Sequence, residues 1–411
     1  MLCRSLYSSG VDHLICQFKQ SESGEWQLGA KFKQNLHTVN FLGLFREDVL
    51  FSLGVESMWR TWTFNTFADK VQNWIIPSFL RFPIFSYGCE SRVLVSAFLD
   101  TLNVYRLGDY LLDPSSEVAF QQLSSYKKIA EITSRHKKKV LCCAVSPNCK
   151  YIAYGTEEGI QFVGISEFLF LQKTPLKFSF TNILFMQFSH DSWCLYVVQY
   201  SGKIIVINMD TNIKPEVHET SIAENDPIIH VVFDLNFQHA ALAHFSKAIS
   251  VYQFKGKEVI FKINGGDSFV SSLAFSPLTK PFHLVVAYDN RSIVEFNFVE
   301  RKIVYKLAEK SLPLELQNPD PLRNIFYLED NIFALHNSTR IGILKIHDSS
   351  SEDGAKRRRL NQGQKISLNR DFNSIQSMLR SSDNSLIVVE MTNKMLIQSL
   401  PPILSKKMFG T

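Results

Sequence analysis

The stretch Leu6–Phe18, LYSSGVDHLICQF, has a pattern that the rest of the chain repeats. Two short apolar runs flank a turn that contains Gly10 and Asp12. Glycine readily adopts a positive φ, which such turns often need, and aspartate can accept a hydrogen bond from its own local backbone. Two apolar runs that meet across such a turn predict a β-hairpin.

The same pattern returns in Val49–Trp62, VLFSLGVESMWRTW, where Gly54 and Glu56 lie 44 residues after their counterparts in the first stretch. It returns again in Val93–Leu107, where Asp100 lies 44 residues beyond Glu56. A hairpin-sized unit with a period of about 44 residues is typical of a propeller blade.

Six further units follow the first three. Their apolar runs are too short for helices and predict strands. The unit that begins at Val140 also carries a Ser-Pro turn and a turn bracketed by glycines. The six units are Val140–Ile165, Ile183–Met209, Ile228–Phe254, Val270–Phe298, Ile325–Ile346 and Ile375–Leu400.

Nine units of this kind predict an all-β WD-repeat β-propeller, because each unit buries little by itself and needs neighbours on both sides. We expect one complete seven-bladed ring plus about two blades of a second ring. Residues 1–75 would be the trailing blades of an incomplete first propeller, and residues 76–400 the second propeller, with a polar loop at 347–373. Residues 401–411 would be an extended basic tail. A nine-bladed or open arrangement is the alternative.

The composition narrows the class of protein further. The chain of 411 residues is 45% hydrophobic and 12% aromatic, which predicts a sizeable core. Its net charge of +5 is too small for a nucleic-acid field over the whole chain. The seven cysteines form no CxxC pair, which is typical of a reducing compartment. We expect an intracellular protein without a membrane segment.

The order of several segments resembles the cirhin family, nucleolar WD-repeat proteins of the small-subunit processome. The Trp-Asp dipeptide itself is absent. The resemblance covers nearly the whole chain, but only about the C-terminal three-fifths of the family's length, so partners of the absent first blades are not inferred. The segments that carry it are GVDHLICQF, LNVYRLGDYLL, VSPNCKYIAYGTEEGIQF, LVVAYDNRSIVEFNF, the KSLPL run at Lys310, and LIVVEMTNKMLIQSLPPILSKKMFGT at the end of the chain.

This resemblance implies a non-catalytic scaffold in the nucleolus that supports pre-rRNA transcription and processing toward 18S rRNA. Its partners would be other proteins of the UTP-A group and of the processome, with pre-rRNA contacted directly or indirectly. It implies no cofactor, no small-molecule substrate and no membrane. A generic WD-repeat substrate adaptor of a ubiquitin ligase or trafficking complex is the alternative. A propeller hydrolase would need converging carboxylates or metal ligands.

No catalytic or metal-binding pattern stands out in the sequence. The motifs GxSxG, GxxxxGK[ST], GxGxxG and HExxH are absent. His239 and His244 are five residues apart, a spacing that places them on opposite faces of a strand and disfavours a shared metal ion.

A basic run, Lys356, Arg357, Arg358 and Arg359, lies in the polar loop. Four consecutive cations cannot share a packed face, so the run is solvated or paired with an anion. We interpret it as a nuclear-import signal. A solvated insertion is the alternative.

A second group of cations, Arg135, Lys137, Lys138 and Lys139, directly precedes a predicted strand. Loops on a rigid ring often carry binding groups, so these residues are candidates for contact with RNA or a partner. A charge run that keeps the neighbouring apolar strand from aggregating is the alternative.

The tail contains Pro401, Pro402, Lys406, Lys407 and Phe409. A Pro-Pro pair cannot continue a sheet, so the tail is expected to leave the ring in extended form as a docking peptide. A frayed terminus is the alternative.

Overall fold

A computed structural model describes residues 5–33, 38–45, 49–54, 59–63, 74–76, 84–112, 120–122, 124–166, 171–210, 213–220, 226–264, 266–277, 282–307, 312, 322–329, 332–345, 364–367, 375–381 and 386–390. These residues form 35 strands and one helical element, the three-residue 3-10 helix η1 (Arg135–Lys137). The prediction of an all-β chain is confirmed. A helix able to cross a membrane is not found among the described residues.

The strands follow one another in antiparallel sheets. Those of residues 5–76 are β1 (Ser5–Ser9), β2 (Ile15–Gln20), β3 (Trp26–Phe32), β4 (Val39–Phe45), β5 (Val49–Gly54), β6 (Trp59–Thr63) and β7 (Trp74–Ile76). Those of residues 85–178 are β8 (Phe85–Gly88), β9 (Val93–Phe98), β10 (Thr101–Arg106), β11 (Tyr110–Leu112), β12 (Phe120–Gln122), β13 (Lys127–Thr133), β14 (Cys142–Val145), β15 (Tyr151–Thr156), β16 (Gly159–Ile165) and β17 (Leu171–Phe178). Those of residues 183–263 are β18 (Ile183–Phe188), β19 (Cys194–Gln199), β20 (Lys203–Asn208), β21 (Glu216–Glu219), β22 (Ile228–Phe233), β23 (His239–His244), β24 (Ile249–Gln253) and β25 (Glu258–Ile263). The remaining strands are β26 (Val270–Phe275), β27 (His283–Tyr288), β28 (Ile293–Asn297), β29 (Lys302–Leu307), β30 (Asn324–Glu329), β31 (Ile332–His336), β32 (Ile341–Lys345), β33 (Gln364–Ser367), β34 (Ile375–Arg380) and β35 (Leu386–Glu390).

Nine successive sheets account for all of these strands except β11 and β12, which pair as a small insertion. Seven of the nine sheets have four strands. This succession of small antiparallel meanders confirms the nine predicted units and the WD-repeat class of fold. The chain divides into two compact units, a smaller one of Met1–Phe79, Asp371–Gln376 and Val389–Thr411, and a larger one of Leu80–Arg370 and Ser377–Val388.

In the smaller unit, the sheets β1–β3 and β4–β7 share one core. Ile15 and Phe32 of the first sheet are buried with Leu50 and Trp62 of the second. The rings of Phe32 and Trp62 meet edge to face with centroids 4.8 Å apart. Trp62 is fully buried, so this tryptophan is a core residue.

The sheets of the larger unit bury apolar residues on both of their faces. In β23, Ala240 and Leu242 pack in a cluster with β18–β20, whereas Ala241 and Ala243 pack in a cluster with β27 and β28. Successive side chains of a strand point to opposite faces, so one strand contributes to two cores. This explains why its sequence is a continuous apolar run instead of an alternating one.

One turn recurs between the first and second strands of successive sheets. Its first residue, Ser146, Ser189 or Asp234, accepts a hydrogen bond from the backbone N–H five residues later. The donors are Tyr151 at 3.0 Å, Cys194 at 2.9 Å and His239 at 3.1 Å. These bonds satisfy the first backbone donor of each second strand and fix where it begins. The predicted Ser-Pro turn at Ser146 is therefore confirmed, with its hydroxyl as the organising group.

A second turn recurs between the second and third strands and requires a left-handed residue. Gly159 (φ 128°), Gly202 (φ 90°), Lys247 (φ 70°) and Arg291 (φ 63°) occupy this position in four successive sheets. Glycine adopts it without strain, whereas the two cations adopt it at a cost of about 1–2 kcal/mol.

The turn between β1 and β2 differs from its prediction in one respect. Asp12 accepts a hydrogen bond from the backbone N–H of Leu14 at 3.3 Å, as expected. The left-handed residue, however, is His13, with φ 63°, and not Gly10. The expectation for Gly10 is wrong because Gly10 is the first residue of the turn. The turn is closed by a hydrogen bond from the His13 N–H to the Gly10 carbonyl at 3.3 Å.

The predicted polar loop at 347–373 is interrupted. Gln364–Ser367 forms β33 and pairs with β32. The prediction of a continuous loop is therefore wrong at these four residues. The polar insertion lies between the third and fourth strands of one sheet, not between two units.

Contacts link the last strands to both neighbouring sheets of the larger unit. The Arg380 guanidinium, at the end of β34, donates to the Leu328 carbonyl of β30 at 3.3 Å. The hydroxyl of the next residue, Ser381, lies 3.4 Å from that of Tyr87 in β8. The segment at the end of β34 therefore contacts both the sheet that contains β30 and the sheet that contains β8.

We expect Gly159→Ala to lower the unfolding free energy of the larger unit by on the order of 3 kcal/mol. The added Cβ would lie 2.1 Å from the Phe178 carbonyl oxygen at a φ of +128°. Urea unfolding followed by far-UV circular dichroism, to which the many strands of the larger unit contribute most, measures the effect. Gly266→Ala is the matched control, because nothing lies within 4 Å of its Cβ, and its expected change is within about 0.5 kcal/mol. Equal changes in the two variants would contradict this prediction.

Because His336 is buried, we expect the unfolding free energy to decrease in acid. Burial lowers its pKa from 6.5 to about 4, against the opposing hydrogen bond between its Nδ1 and the Asn337 carbonyl. Between these values the unfolded chain binds a proton that the folded chain does not, so stability falls as the pH falls from 6.5 to 4. The expected loss is on the order of 3 kcal/mol.

Urea midpoints measured between pH 4 and 7.5 test this, with His336→Asn as the comparison. Asparagine keeps a donor near the Nδ1 position but does not titrate. The pKa values of His218 and His244 are also lowered by burial and contribute in the same direction. The variant is therefore expected to show a shallower slope, not a flat one, and an unchanged slope would contradict the assignment to His336.

Candidate functional site

The turns of the larger unit lie on two opposite rims, because alternate turns of an antiparallel meander lie at opposite ends of the sheet. The upper rim consists of the turns between second and third strands, together with the connections from one sheet to the next. Bonds such as Val140 N–H to Leu99 carbonyl, 2.7 Å, tie a connection to the turn beside it. The lower rim carries the first-to-second and third-to-fourth-strand turns. These are tied by bonds such as Met209 N–H to Trp193 carbonyl, 2.8 Å.

The predicted basic residues lie on the upper rim, between β13 and β14. We call Arg135–Lys139 the basic segment. Its preceding residue, Ser134, is buried and donates its N–H to the Asp100 carbonyl at 2.7 Å, while its hydroxyl donates to the Lys138 carbonyl. With the Val140 bond at the other end, the segment is fixed at both ends.

The backbone of the basic segment is held in an unusual conformation. His136 (φ 57°) and Lys137 (φ 53°) are both left-handed, although neither is glycine. Each such residue costs about 1–2 kcal/mol, and here two of them are consecutive, whereas the turns at Lys247 and Arg291 have one each. The result is a short protruding turn in which Arg135, Lys137 and Lys139 are exposed and Lys138 is half-buried.

The four cations of the basic segment have no carboxylate partner among the described residues. The adjacent Lys128 does have one, in Glu131 at 2.5 Å. Uncompensated cations on one turn create a local positive potential that attracts anions. The arrangement is suited to binding a phosphate backbone or an acidic peptide. It is also suited to keeping the neighbouring apolar strand from aggregating.

Two exposed apolar residues lie beside the basic segment. Phe98 and Leu99, 51% and 60% exposed, form the end of β9 and the start of its turn. Leu99 accepts the bond from Val140 that fixes the segment. Sequence reasoning missed this pair, because an apolar residue at the end of a buried strand gives no sign that it faces solvent.

Two other predicted sites are the basic run of the polar loop and the tail. Lys356, Arg357, Arg358 and Arg359, and the tail residues Pro401, Pro402, Lys406, Lys407 and Phe409, lie outside the described residues.

The two histidines of β23 are separate. His239 Nδ1 lies 2.8 Å from an Asp234 oxygen, and His244 Nε2 lies 3.0 Å from the Ser250 hydroxyl. They lie at the two ends of β23 and, because successive side chains of a strand alternate, on opposite faces of it, as expected from their spacing. No group of three or more metal-binding side chains is found in the described part of the chain.

The buried cysteines do not form a reactive site. Burial raises the pKa of Cys143 to about 12 and that of Cys142 still further. These thiols therefore stay protonated near neutral pH and behave as small apolar core groups.

Comparison with known proteins gives two similar proteins, and no family model matches the chain. The U3 small nucleolar RNA-associated protein 4 homolog of Mus musculus is 22% identical over 356 residues, covering 79% of this chain and 51% of that protein. The protein of the same name from Homo sapiens is 20% identical over 433 residues, covering 97% of this chain and 62% of that protein. The chain thus spans about half to three-fifths of the length of these relatives. Both similarities support the resemblance identified in the sequence.

Proposed function

We propose that this chain is a non-catalytic scaffold of nucleolar ribosome biogenesis, acting in the small-subunit processome to support pre-rRNA transcription and processing toward 18S rRNA. The observation that carries this proposal is the alignment with the human relative, which covers 97% of the chain. That relative is named for association with the U3 small nucleolar RNA. The WD-type blades fit the function, because rigid rings with many surface turns are suited to binding several partners at once.

We propose that the seven sheets within residues 76–400 close into one propeller, and that the sheets of residues 1–75 belong to another. The hydroxyl contact between Tyr87 and Ser381 supports closure of the ring, because it joins the first and last of the seven sheets. Closure would also protect the strand edges that an open array exposes. The tail of residues 401–411 is proposed as a docking peptide.

Two cavities of the larger unit fit a scaffold better than a small-molecule enzyme. The two best formed among the described residues have volumes of about 140 and 200 Å³. Sites for drug-sized ligands usually span about 300–1,000 Å³. The observed cavities are too small for such a ligand.

We propose that the basic segment contacts RNA phosphates. Its four cations lack carboxylate partners among the described residues, and a fixed backbone reduces the entropy lost when it binds. Phe98 lies on the adjoining turn and is half exposed, so it can stack against an unpaired base. This combination favours single-stranded RNA over a duplex, whose bases are already stacked.

Replacement of Arg135, Lys137, Lys138 and Lys139 by alanine tests this contact. We expect the slope of log affinity for a single-stranded RNA against log salt concentration to become shallower by roughly 3. Fluorescence anisotropy of a labelled oligonucleotide, at several salt concentrations, measures it.

The matched control removes four other exposed cations, Lys150, Lys214, Lys255 and Lys306, and so changes the net charge equally. It should leave the slope nearly unchanged. Equal effects of the two variants would show that only net charge matters and would exclude a defined contact at the basic segment.

Sedimentation of the tagged protein from nuclear extract, with probes for pre-rRNA across the gradient, tests the proposed function. We expect migration in a large particle that contains unprocessed pre-rRNA, and nucleolar fluorescence in the same cells. Alanine at Lys356, Arg357, Arg358 and Arg359 should reduce nuclear accumulation if that run is the import signal. A small cytosolic species free of pre-rRNA would contradict the scaffold and favour the adaptor of a ubiquitin ligase or trafficking complex.

A further inference from the structure

A small pocket opens on the lower rim of the larger unit. It is formed where the first-to-second-strand turns of three consecutive sheets converge, and its volume is about 140 Å³. It is apolar for most of its surface. Six of its lining residues are Pro147, Phe188, His190, Phe233, Leu235 and Phe237.

The aromatic wall of the pocket is preformed. The rings of Phe233 and Phe237 stack with centroids 5.4 Å apart, and Tyr196 stacks on Phe237 at 4.8 Å. Phe233 is buried, and Phe237 is held at a left-handed φ of 53°. Because the rings already pack on one another, an incoming group finds a fixed surface and little has to be ordered on binding.

The size of the pocket selects the kind of ligand. A volume of about 140 Å³ fits one apolar side chain and excludes a cofactor-sized molecule. Two exposed apolar side chains lie on the turns that form the pocket. Leu235 at the pocket is 48% exposed, and Trp193, three residues beyond His190 on the same turn, is 62% exposed. Tryptophan is enriched among the residues that contribute most of the binding energy at protein interfaces.

The second and third of the three turns each carry a carboxylate, whereas the first carries the exposed Lys150. Hydrogen bonds from the Ser189 hydroxyl and the Trp193 N–H lower the pKa of Asp191, which keeps it ionised at neutral pH. Asp234 lines the pocket itself, where its oxygens accept bonds from the Gln238 N–H at 2.7 Å and from His239 Nδ1 at 2.8 Å. A cationic group that lies beside the anchor on the side of the second and third turns is therefore complementary to these carboxylates.

We infer that this pocket is the docking site for a linear peptide segment of a partner protein, which inserts one apolar side chain and places a lysine or arginine beside it. The inference rests on the pocket and its charges alone. It holds whether or not the basic segment on the opposite rim binds RNA.

Selection of a random 12-residue peptide library, displayed on phage, against the purified full chain tests the inference. We expect the recovered peptides to share an apolar residue next to a lysine or arginine. Binding of a synthesised peptide from the selection, measured by fluorescence anisotropy, should weaken about tenfold or more in Leu235→Lys and in Trp193→Ala. Both positions are exposed, so neither change disturbs the core.

Val299→Lys is the matched control, because Val299 is 56% exposed on a lower-rim turn of the next sheet and does not line the pocket. It introduces the same charge as Leu235→Lys and should leave binding unchanged. Three outcomes would overturn the inference: no enriched peptide, enriched peptides that are acidic, or binding that Leu235→Lys and Val299→Lys reduce equally.

Discussion

The apolar side chains of each sheet are buried against the next sheet along the chain. Leu184 and Val198 of one sheet, for example, share a cluster with Ile228 and Leu242 of the following one. A single four-stranded meander has no other apolar surface to pack on and would expose both faces to water. Every sheet of the larger unit therefore depends on its neighbours, and the stability of that unit is a property of the succession and not of any one repeat.

This dependence explains why the turns are so uniform. A shift of one residue would move the apolar side chains of a strand to the opposite face and empty two cores at once. The side-chain caps at Ser146, Ser189 and Asp234 fix the start of each second strand and so prevent the shift. Sequence could predict this part of the fold, since apolar runs and turn residues repeat together with a period of about 44.

The fourth strands were harder to predict for a physical reason. They form one edge of each four-stranded sheet, and in some of them the side chains are largely exposed, as in β21, whose sequence EVHE shows no apolar run. In β21, hydrogen bonding to the third strand and not side-chain burial defines the strand, so a hydrophobic pattern cannot reveal it. For the same reason, β33 resembled a continuation of its polar loop.

The candidate surfaces also divide into a part that the sequence could predict and a part that it could not. The cations of the basic segment are adjacent in sequence and could be found there. Their proximity to Phe98, and the meeting of Pro147, Phe188 and Phe237 in one pocket, depend on the pairing of distant segments.

The two rims of the larger unit present different chemistry, and the fold accounts for this separation. On the upper rim, the basic segment concentrates positive charge on a fixed turn beside exposed apolar groups. On the lower rim, the converging turns form an apolar pocket flanked by carboxylates. The inner strands between the rims, such as β23, are buried and cannot vary freely, because they contribute to two cores. The turns contribute little to these cores apart from their capping residues. Their exposed side chains can therefore differ between the rims without loss of stability. A scaffold needs this property, since partners that occupy opposite rims do not compete for the same surface.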